Sequence, residues 1–291
     1  ILIPLLLVPQ LLLSGVIVKF DKLHRDVASP LYVPFVGDLM PLRWSYEALA
    51  VTQFKHNEYQ KHFFDIEKRK SHAGFTKNYL IAEIEAIVNT SLSHKQNNEK
   101  IERTKKDLKI LSNELKKLQK QVPEIESGIE SNITYESYDK ETVKKIREYL
   151  NKLKDYYNSE FDKATSQKDR KYNSLLEKYD KEAIIELRQN YYNENLANLL
   201  RNKQDLNKVI RSKNRLVQIA EPIYKDPESK FGRAHFYAPN KQLGNTEIDT
   251  FWFNVGVIWF MSLLMYIALI FDLLRKAINA SAKIRIGKRR R

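Results

Sequence analysis

The sequence contains no cysteine, which excludes disulfide bonds and thiolate metal sites. It also has only eight glycines in 291 residues. Because glycine is a usual residue of tight turns, its scarcity predicts few such turns and favours helices. The expected fold class is therefore all-α.

The motifs of common catalytic sites are missing as well. The sequence has no GxxxxGK[ST] phosphate-binding loop, no HExxH zinc motif and no GxSxG nucleophile turn. Its histidines are scattered; His56 and His62, for example, are six residues apart, a spacing that does not place them on one helix face. We find no catalytic site and no metal site, so any ATP hydrolysis has to come from a domain outside these residues.

Charge is absent from two stretches of a chain with 30% charged residues and a net charge of +14. One is residues 251–271, FWFNVGVIWFMSLLMYIALIF, which at ~1.5 Å per residue spans about 30 Å, the hydrocarbon thickness of a bilayer. We predict a final transmembrane helix; the alternative, a buried helix of a soluble protein, usually shows a polar face. The basic residues of the tail, 275–291, predict by the positive-inside rule that this tail is cytoplasmic.

Residues 1–18 are the second uncharged stretch. The chain begins at Ile1 within an apolar run that Pro4, Pro9 and Gly15 interrupt, so we expect the truncated, kinked end of a transmembrane helix inside a bundle. A cleavable signal peptide fits less well, since no basic segment precedes the run and no small-residue cleavage site follows it. If both stretches cross the membrane, the region between them lies outside, in a multi-pass protein of the bacterial inner membrane.

Two ordered motifs lie at 8–20, VPQLLLSGVIVKF, and 40–54, MPLRWSYEALAVTQF. They resemble the C-terminal part of an ABC-2-type permease of the White/pleiotropic-drug (ABCG-like) exporters, in which a Pro-Gln, apolar, Ser/Gly-Gly run precedes a helix with Arg and Glu-Ala-Leu. Met40 and Thr52 depart from that pattern. The motif residues with a structural role are Pro9, Gln10, Gly15, Arg43 and Glu47. Arg43 and Glu47 are four residues apart and are expected to pair on one helix face.

The resemblance implies particular roles and partners. Val16 and Ile17 would form an apolar plug that closes the path to the outside; ordinary helix packing is the alternative role for this pair. ATP and Mg²⁺ would bind a nucleotide-binding domain, upstream in a longer chain or separate, and the exporter would work as a homodimer. Asn254, in the final helix, is a candidate for contact with substrate, although its position near the outer boundary favours simple solvation.

The charged middle of the chain, residues 61–230, shows a heptad pattern of apolar residues. From Leu108 to Ile129 these residues alternate at spacings of three and four. Pro123 and Gly128 interrupt the pattern, so we expect a helix over 76–121 and a connecting segment at 123–140. A second apolar run begins at Val143, and a third extends from Leu176 through Leu206 and Ile210 to Val217. We predict an extracytoplasmic antiparallel coiled-coil hairpin or a three-helix insert, with a narrow apolar seam rather than a globular core. Acidic residues lie among the lysines, so nucleic acid is not the expected partner.

These features divide the chain into four parts: 1–60, the end of a transmembrane helix with a re-entrant or interfacial segment; 61–230, the insert; 231–274, a loop and the final transmembrane helix; and 275–291, the basic tail. The predicted function is an ATP-driven exporter in contact with membrane lipid, whose insert binds a periplasmic or surface protein or shields the exit. The alternative is a membrane-anchored coiled-coil scaffold that binds an envelope protein without transport.

Overall fold

The chain is mostly helical. The computed structural model describes residues 2–17, 20, 31–129, 133–272 and 276. The helices are α1 (Leu2–Leu13), α2 (Phe35–Asp38), α3 (Pro41–Lys55), α4 (Phe64–Phe75), α5 (Ile81–Gln96), α6 (Ile101–Gln121), α7 (Lys140–Leu176), α8 (Lys181–Tyr191), α9 (Glu194–Arg201) and α10 (Thr250–Ile270). A π-helical turn, Thr76–Leu80, joins α4 to α5.

Several helices begin where the sequence supplies a cap. Asp139 accepts a hydrogen bond from the backbone N–H of Thr142 at the start of α7. Asn193 and Asp249 do the same for α9 and α10. Pro41 occupies the first turn of α3, where its missing N–H is not needed. These caps satisfy backbone donors that have no partner within the helix.

Two small antiparallel sheets correct the expected all-α class. Their strands are β1 (Val209–Ser212) with β2 (Arg215–Gln218), and β3 (Asn240–Leu243) with β4 (Thr246–Asp249). The first turn consists of Lys213 and Asn214, both with positive φ, as a two-residue hairpin turn requires. Hairpins therefore form here with little use of glycine, and the scarcity of glycine did not exclude them.

The helices of the middle region pack antiparallel. Arg147 on α7 donates a hydrogen bond to Asn89 on α5, whereas Lys168, further along α7, pairs with Glu67 on α4. As the number rises on α7 it falls on α4 and α5, which shows that α7 runs in the opposite direction. Helix α6 folds back on α5, and the apolar residues of its seam, from Leu108 to Leu118, are buried as the heptad pattern predicts.

The structure also corrects details of the heptad prediction. A turn at 97–100 separates α5 from α6, so the continuous helix expected over 76–121 does not form. The third apolar run does not extend as a helix to Val217, because α9 ends at Arg201 and the hairpin β1–β2 follows. Leu206, assigned to the seam, is 95% exposed. The segment expected to connect two helices, 123–140, does lie between α6 and α7.

The apolar interior is wider than the predicted narrow seam. One cluster includes the end of α4, the π-helical turn, α5, α6 and α7, and it extends to Tyr138, Leu216 and Ala220 from outside the helices. A second cluster joins Val51 and Phe54 of α3 to residues of the 197–224 segment. The middle region is therefore a packed unit that shares a core with α3.

One helix in the described part of the chain, α10, is long and apolar enough to cross a membrane. Its only buried residues are Thr250 and Asn254, so α10 is not part of the apolar interior that the structure describes. Helix α1 has 12 residues with Pro9 inside it, fewer than the ~20 that span a bilayer. Apart from Lys276, the basic tail 275–291 lies outside the described residues, as do residues 21–30 of the first part.

Candidate functional site

The carboxylate of Glu47 is the centre of a buried ionic cluster. Its Oε1 accepts hydrogen bonds from Lys241 Nζ at 2.8 Å and from the backbone N–H of Tyr237 at 3.0 Å. Its Oε2 accepts one from Asn254 Nδ2 at 3.0 Å and lies 3.5 Å from an Arg43 nitrogen. Glu47 thus ties α3 to the strand β3 and to the apolar helix α10.

Arg43 and Glu47 pair on one helix face, as their spacing predicts, and both are buried, at 1% and 0% exposure. The Arg43 guanidinium lies 3.8 Å from the centre of the Trp44 ring, a cation–π contact. It is also 3.6 Å from Asp38, which in turn lies 3.5 Å from Arg233. The cluster therefore brings together charged groups from 38–47 and from 233–241.

The protonation states follow from burial and from the opposite charges. Burial by itself raises the pKa of Glu47, but Lys241, Arg43 and the hydrogen bonds outweigh it, so the pKa lies below its usual value. Burial, aided by Arg43, lowers the pKa of Lys241, and Glu47 offsets only part of that effect. Burial also raises the pKa of Asp38 despite the attraction of Arg43 and Arg233. We conclude that Glu47 is ionised and holds Lys241 in place.

Three polar atoms of the cluster lack a hydrogen-bond partner within the residues that the structure describes. They are Nε and one terminal nitrogen of Arg43, and Oδ1 of Asn254. Buried polar atoms usually find a partner, because leaving one unmatched costs about 1–3 kcal/mol. The hydrogen bonding of the cluster is thus incomplete within these residues.

Asn254 is buried against Glu47 and also donates a hydrogen bond to the backbone oxygen of Trp44 at 3.0 Å. The expectation that it is solvated at the membrane boundary is therefore wrong. Its amide joins the candidate membrane helix to α3.

The first motif lies apart from this cluster. Pro9 and Gln10 lie in α1, and Gly15, with φ +78°, makes the bend that follows. A side chain at Gly15 would come within 2.6 Å of the Phe20 ring, so the bend requires glycine. Val16 and Ile17 lie beyond the end of α1 and are exposed, Ile17 at 62%, so packing as part of that helix does not describe them.

Sequence reasoning missed Lys241, Tyr237 and Arg233. The one local signal was the Leu243-Gly244-Asn245-Thr246 stretch, which is typical of a two-residue hairpin turn and would have placed Lys241 on a strand. No local pattern indicates that this strand reaches Glu47.

The cluster has the chemistry of a structural junction. In the ranges that the structure describes, no group of three His, Asp or Glu side chains could hold a metal ion. Comparison with known proteins identifies no relative: no family model, no curated protein and no solved structure matches the chain.

Proposed function

We propose that the chain is the C-terminal part of the membrane domain of an ATP-driven exporter that resembles the ABC-2-type White/pleiotropic-drug permeases. The observation that carries the proposal is the convergence of Arg43 and Glu47, the pair in the second motif, with Asn254 of the apolar helix α10. Residues selected by the motif alone thus lie at the junction of α3 with the candidate membrane helix.

The exposed apolar surface supports a membrane location. Helix α10 exposes large apolar side chains along its length, including Trp252, Trp259 and Leu269. Phe35 and Leu39, next to the start of α3, are exposed as well, which suits a segment at the membrane interface. In the proposed arrangement α10 crosses the inner membrane, α2 and α3 lie at its outer face, and the tail 275–291 is cytoplasmic.

The proposed mechanism uses ATP and Mg²⁺ bound by a nucleotide-binding domain elsewhere. Closure of that domain moves the two membrane halves of a homodimer, and the substrate leaves past Val16 and Ile17. Because Glu47 and Asn254 join α3 to α10, these two helices move together. The region 61–230, a coiled-coil-like helical insert on the outer side, couples this movement to a surface protein or shields the exit.

The test replaces the plug in the full-length exporter reconstituted in liposomes. We expect Val16→Ala with Ile17→Ala to leave ATP hydrolysis in place while transport per ATP falls, because the path to the outside no longer closes. Val8→Ala with Leu12→Ala is the matched control, since it trims two exposed apolar side chains of α1. Normal coupling in the plug variant, or equal loss in the control, would overturn the proposed role.

The size of the helical middle favours a second candidate, a membrane-anchored scaffold that binds an envelope protein. Helix α7 alone has 37 residues and an exposed, charged outer face. The gene sequence upstream of this chain distinguishes the exporter from the scaffold. The exporter predicts a phosphate-binding loop, an LSGGQ-like signature and further membrane spans, whereas the scaffold predicts none of these.

A further inference from the structure

A cavity of about 470 Å³ opens beside the π-helical turn and shares no lining residue with the ionic cluster of Glu47. Helix α4, the π-helical turn, α7, the end of α9 and the segment after β2 form its walls. Its size is within the range of small-molecule sites, ~300–1,000 Å³. We call it the π-turn cleft.

The charges that line the π-turn cleft are unbalanced. Five are cationic: Lys70, Lys168, Arg201, Lys203 and Lys208. Two are carboxylates, Glu67 and Glu221, and both are already engaged. Glu67 pairs with Lys168 and accepts hydrogen bonds from Gln60 and Tyr224 at 2.6 Å each, while Glu221 pairs with Arg201.

Three lysines remain without an acidic partner. In the part of the chain that the structure describes, no carboxylate lies within ion-pair distance of Lys70, Lys203 or Lys208. Burial is the main cause that lowers the pKa of Lys203; Arg201 adds to the effect, and Glu221 and Glu67 offset part of it. An anion in the cleft would relieve the repulsion between these cations.

The cleft also has an aromatic wall, made by Phe75, Tyr79 and Phe161. Lys70 and Lys77 both lie over the Phe161 ring, at 4.9 and 4.0 Å from its centre. Gly74 faces this ring, and a Cβ there would meet it at 3.3 Å, so glycine allows the close approach. The cleft therefore offers an apolar contact surface for the carbon part of a ligand and lysines for its charged group.

The backbone around the cleft is irregular on two sides. The π-helical turn is a feature that is frequent at functional sites. On the opposite wall, Asn202 and Glu221 have positive φ, an uncommon conformation for residues other than glycine. Ion pairs hold this geometry, since Arg201 fixes Glu221, which also accepts a hydrogen bond from Ser71.

We propose that the π-turn cleft binds a small organic phosphate, in which the phosphate is attached to an aromatic or aliphatic group. Lys70 and Lys203 contact the phosphate from opposite walls, and Phe161 contacts the apolar part. The anion is either a soluble molecule or the headgroup of a lipid. The proposal concerns residues 67–221 only and holds whether or not the chain is part of an exporter.

The test is isothermal titration calorimetry of the full chain in neutral detergent micelles with phenyl phosphate, inorganic phosphate and benzyl alcohol. We expect phenyl phosphate to bind more tightly than either of the other two. Lys70→Gln with Lys203→Gln should weaken its binding at least about tenfold, because charge-assisted contacts are lost. Lys106→Gln with Lys109→Gln is the charge-matched control, on the exposed face of α6, and should bind like the wild type.

Equal weakening in both double variants would show general charge attraction and overturn the site, as would unchanged binding in the Lys70/Lys203 variant. Benzyl alcohol binding as tightly as phenyl phosphate would overturn recognition of the anion. Dioctanoyl phosphatidic acid, titrated in the same way, separates the two sources. Tighter binding of phosphatidic acid, lost in the Lys70/Lys203 variant, would identify a lipid headgroup as the ligand. Tighter binding of phenyl phosphate, with the same loss, would identify a soluble anion.

Discussion

Glu47 shows how far a single residue could be interpreted from the sequence. Its pairing with Arg43 follows from helical spacing and is confirmed. Its contacts with Lys241 and Asn254, about 200 residues away, could not be predicted, because a long-range contact leaves no periodic trace in a single sequence. For the same reason the solvated position expected of Asn254 was wrong.

Replacing Glu47 with glutamine tests the importance of its charge. We expect Glu47→Gln to lower the free energy of unfolding by about 3–5 kcal/mol, since Lys241 would remain buried without its counter-charge and Arg43 would keep only Asp38. Urea denaturation in detergent, followed by circular dichroism, measures the change. Glu58→Gln is the control: Glu58 pairs with Lys61 at the surface, and we expect a change of at most about 1 kcal/mol. Similar values for both variants would contradict the proposed importance of the buried cluster.

His235 makes stability depend on pH. Burial lowers its pKa to about 3, and its ring donates a hydrogen bond to the backbone oxygen of Pro222 at 2.8 Å, so it is neutral when folded. Lys225, Lys241 and Glu47 are the charged groups that act on it. Below the ordinary histidine pKa of ~6.5 the unfolded chain binds a proton that the folded chain does not.

Stability should therefore fall as the pH falls below ~6.5, by up to about 1.4 kcal/mol per pH unit from this residue. The measurement compares urea denaturation of the wild type and His235→Gln between pH 7 and 5, which cancels the contribution of other groups. We expect the difference in unfolding free energy to shift in favour of the variant at the lower pH. Parallel curves would show that the pKa of His235 is the same in the folded and unfolded chains, which would contradict its burial as a neutral ring.

At the scale of elements, the helices were predictable and the hairpins were not. The seam of α6 is a local pattern, since each apolar residue lies three or four positions from the next, and the structure buries it. The β1–β2 hairpin contains Ile210 and Val217, which the sequence pattern assigned to a helical apolar run. Its turn, Lys213-Asn214, lacks the glycine by which such turns are usually recognised.

Two leucines of the predicted apolar runs differ in burial, so replacing each of them tests which run positions belong to the core. Leu150 on α7 is fully buried, whereas Leu206 lies in the loop before β1 and is almost fully exposed. We expect Leu150→Ala to destabilise the protein by about 2–5 kcal/mol, through loss of buried apolar surface and creation of a cavity. Leu206→Ala should change stability by less than about 0.5 kcal/mol. A large loss in the Leu206 variant would indicate that this loop packs against something further.

For the whole molecule, the proposed topology can be tested directly because the chain has no cysteine. Single cysteines at Lys106, in the middle region, and at Arg285, in the tail, can each be labelled with a membrane-impermeant maleimide in intact spheroplasts. We expect Lys106→Cys to be labelled at once, and Arg285→Cys only after the membrane is permeabilised. The opposite order would place the helical region in the cytosol and overturn the exporter proposal.

The core that α3 shares with the 197–224 segment has a mechanical consequence. Helix α7, whose C-terminal part contacts Phe63 near the end of α3, extends for roughly 55 Å at 1.5 Å per residue. Because Glu47 joins α3 to α10, a tilt of about 10° at this junction would sweep the far end of α7 through roughly 10 Å. In the proposed exporter, α7 would thus convert a small rotation of α10 into a much larger displacement at its far end, where the proposed partner would bind.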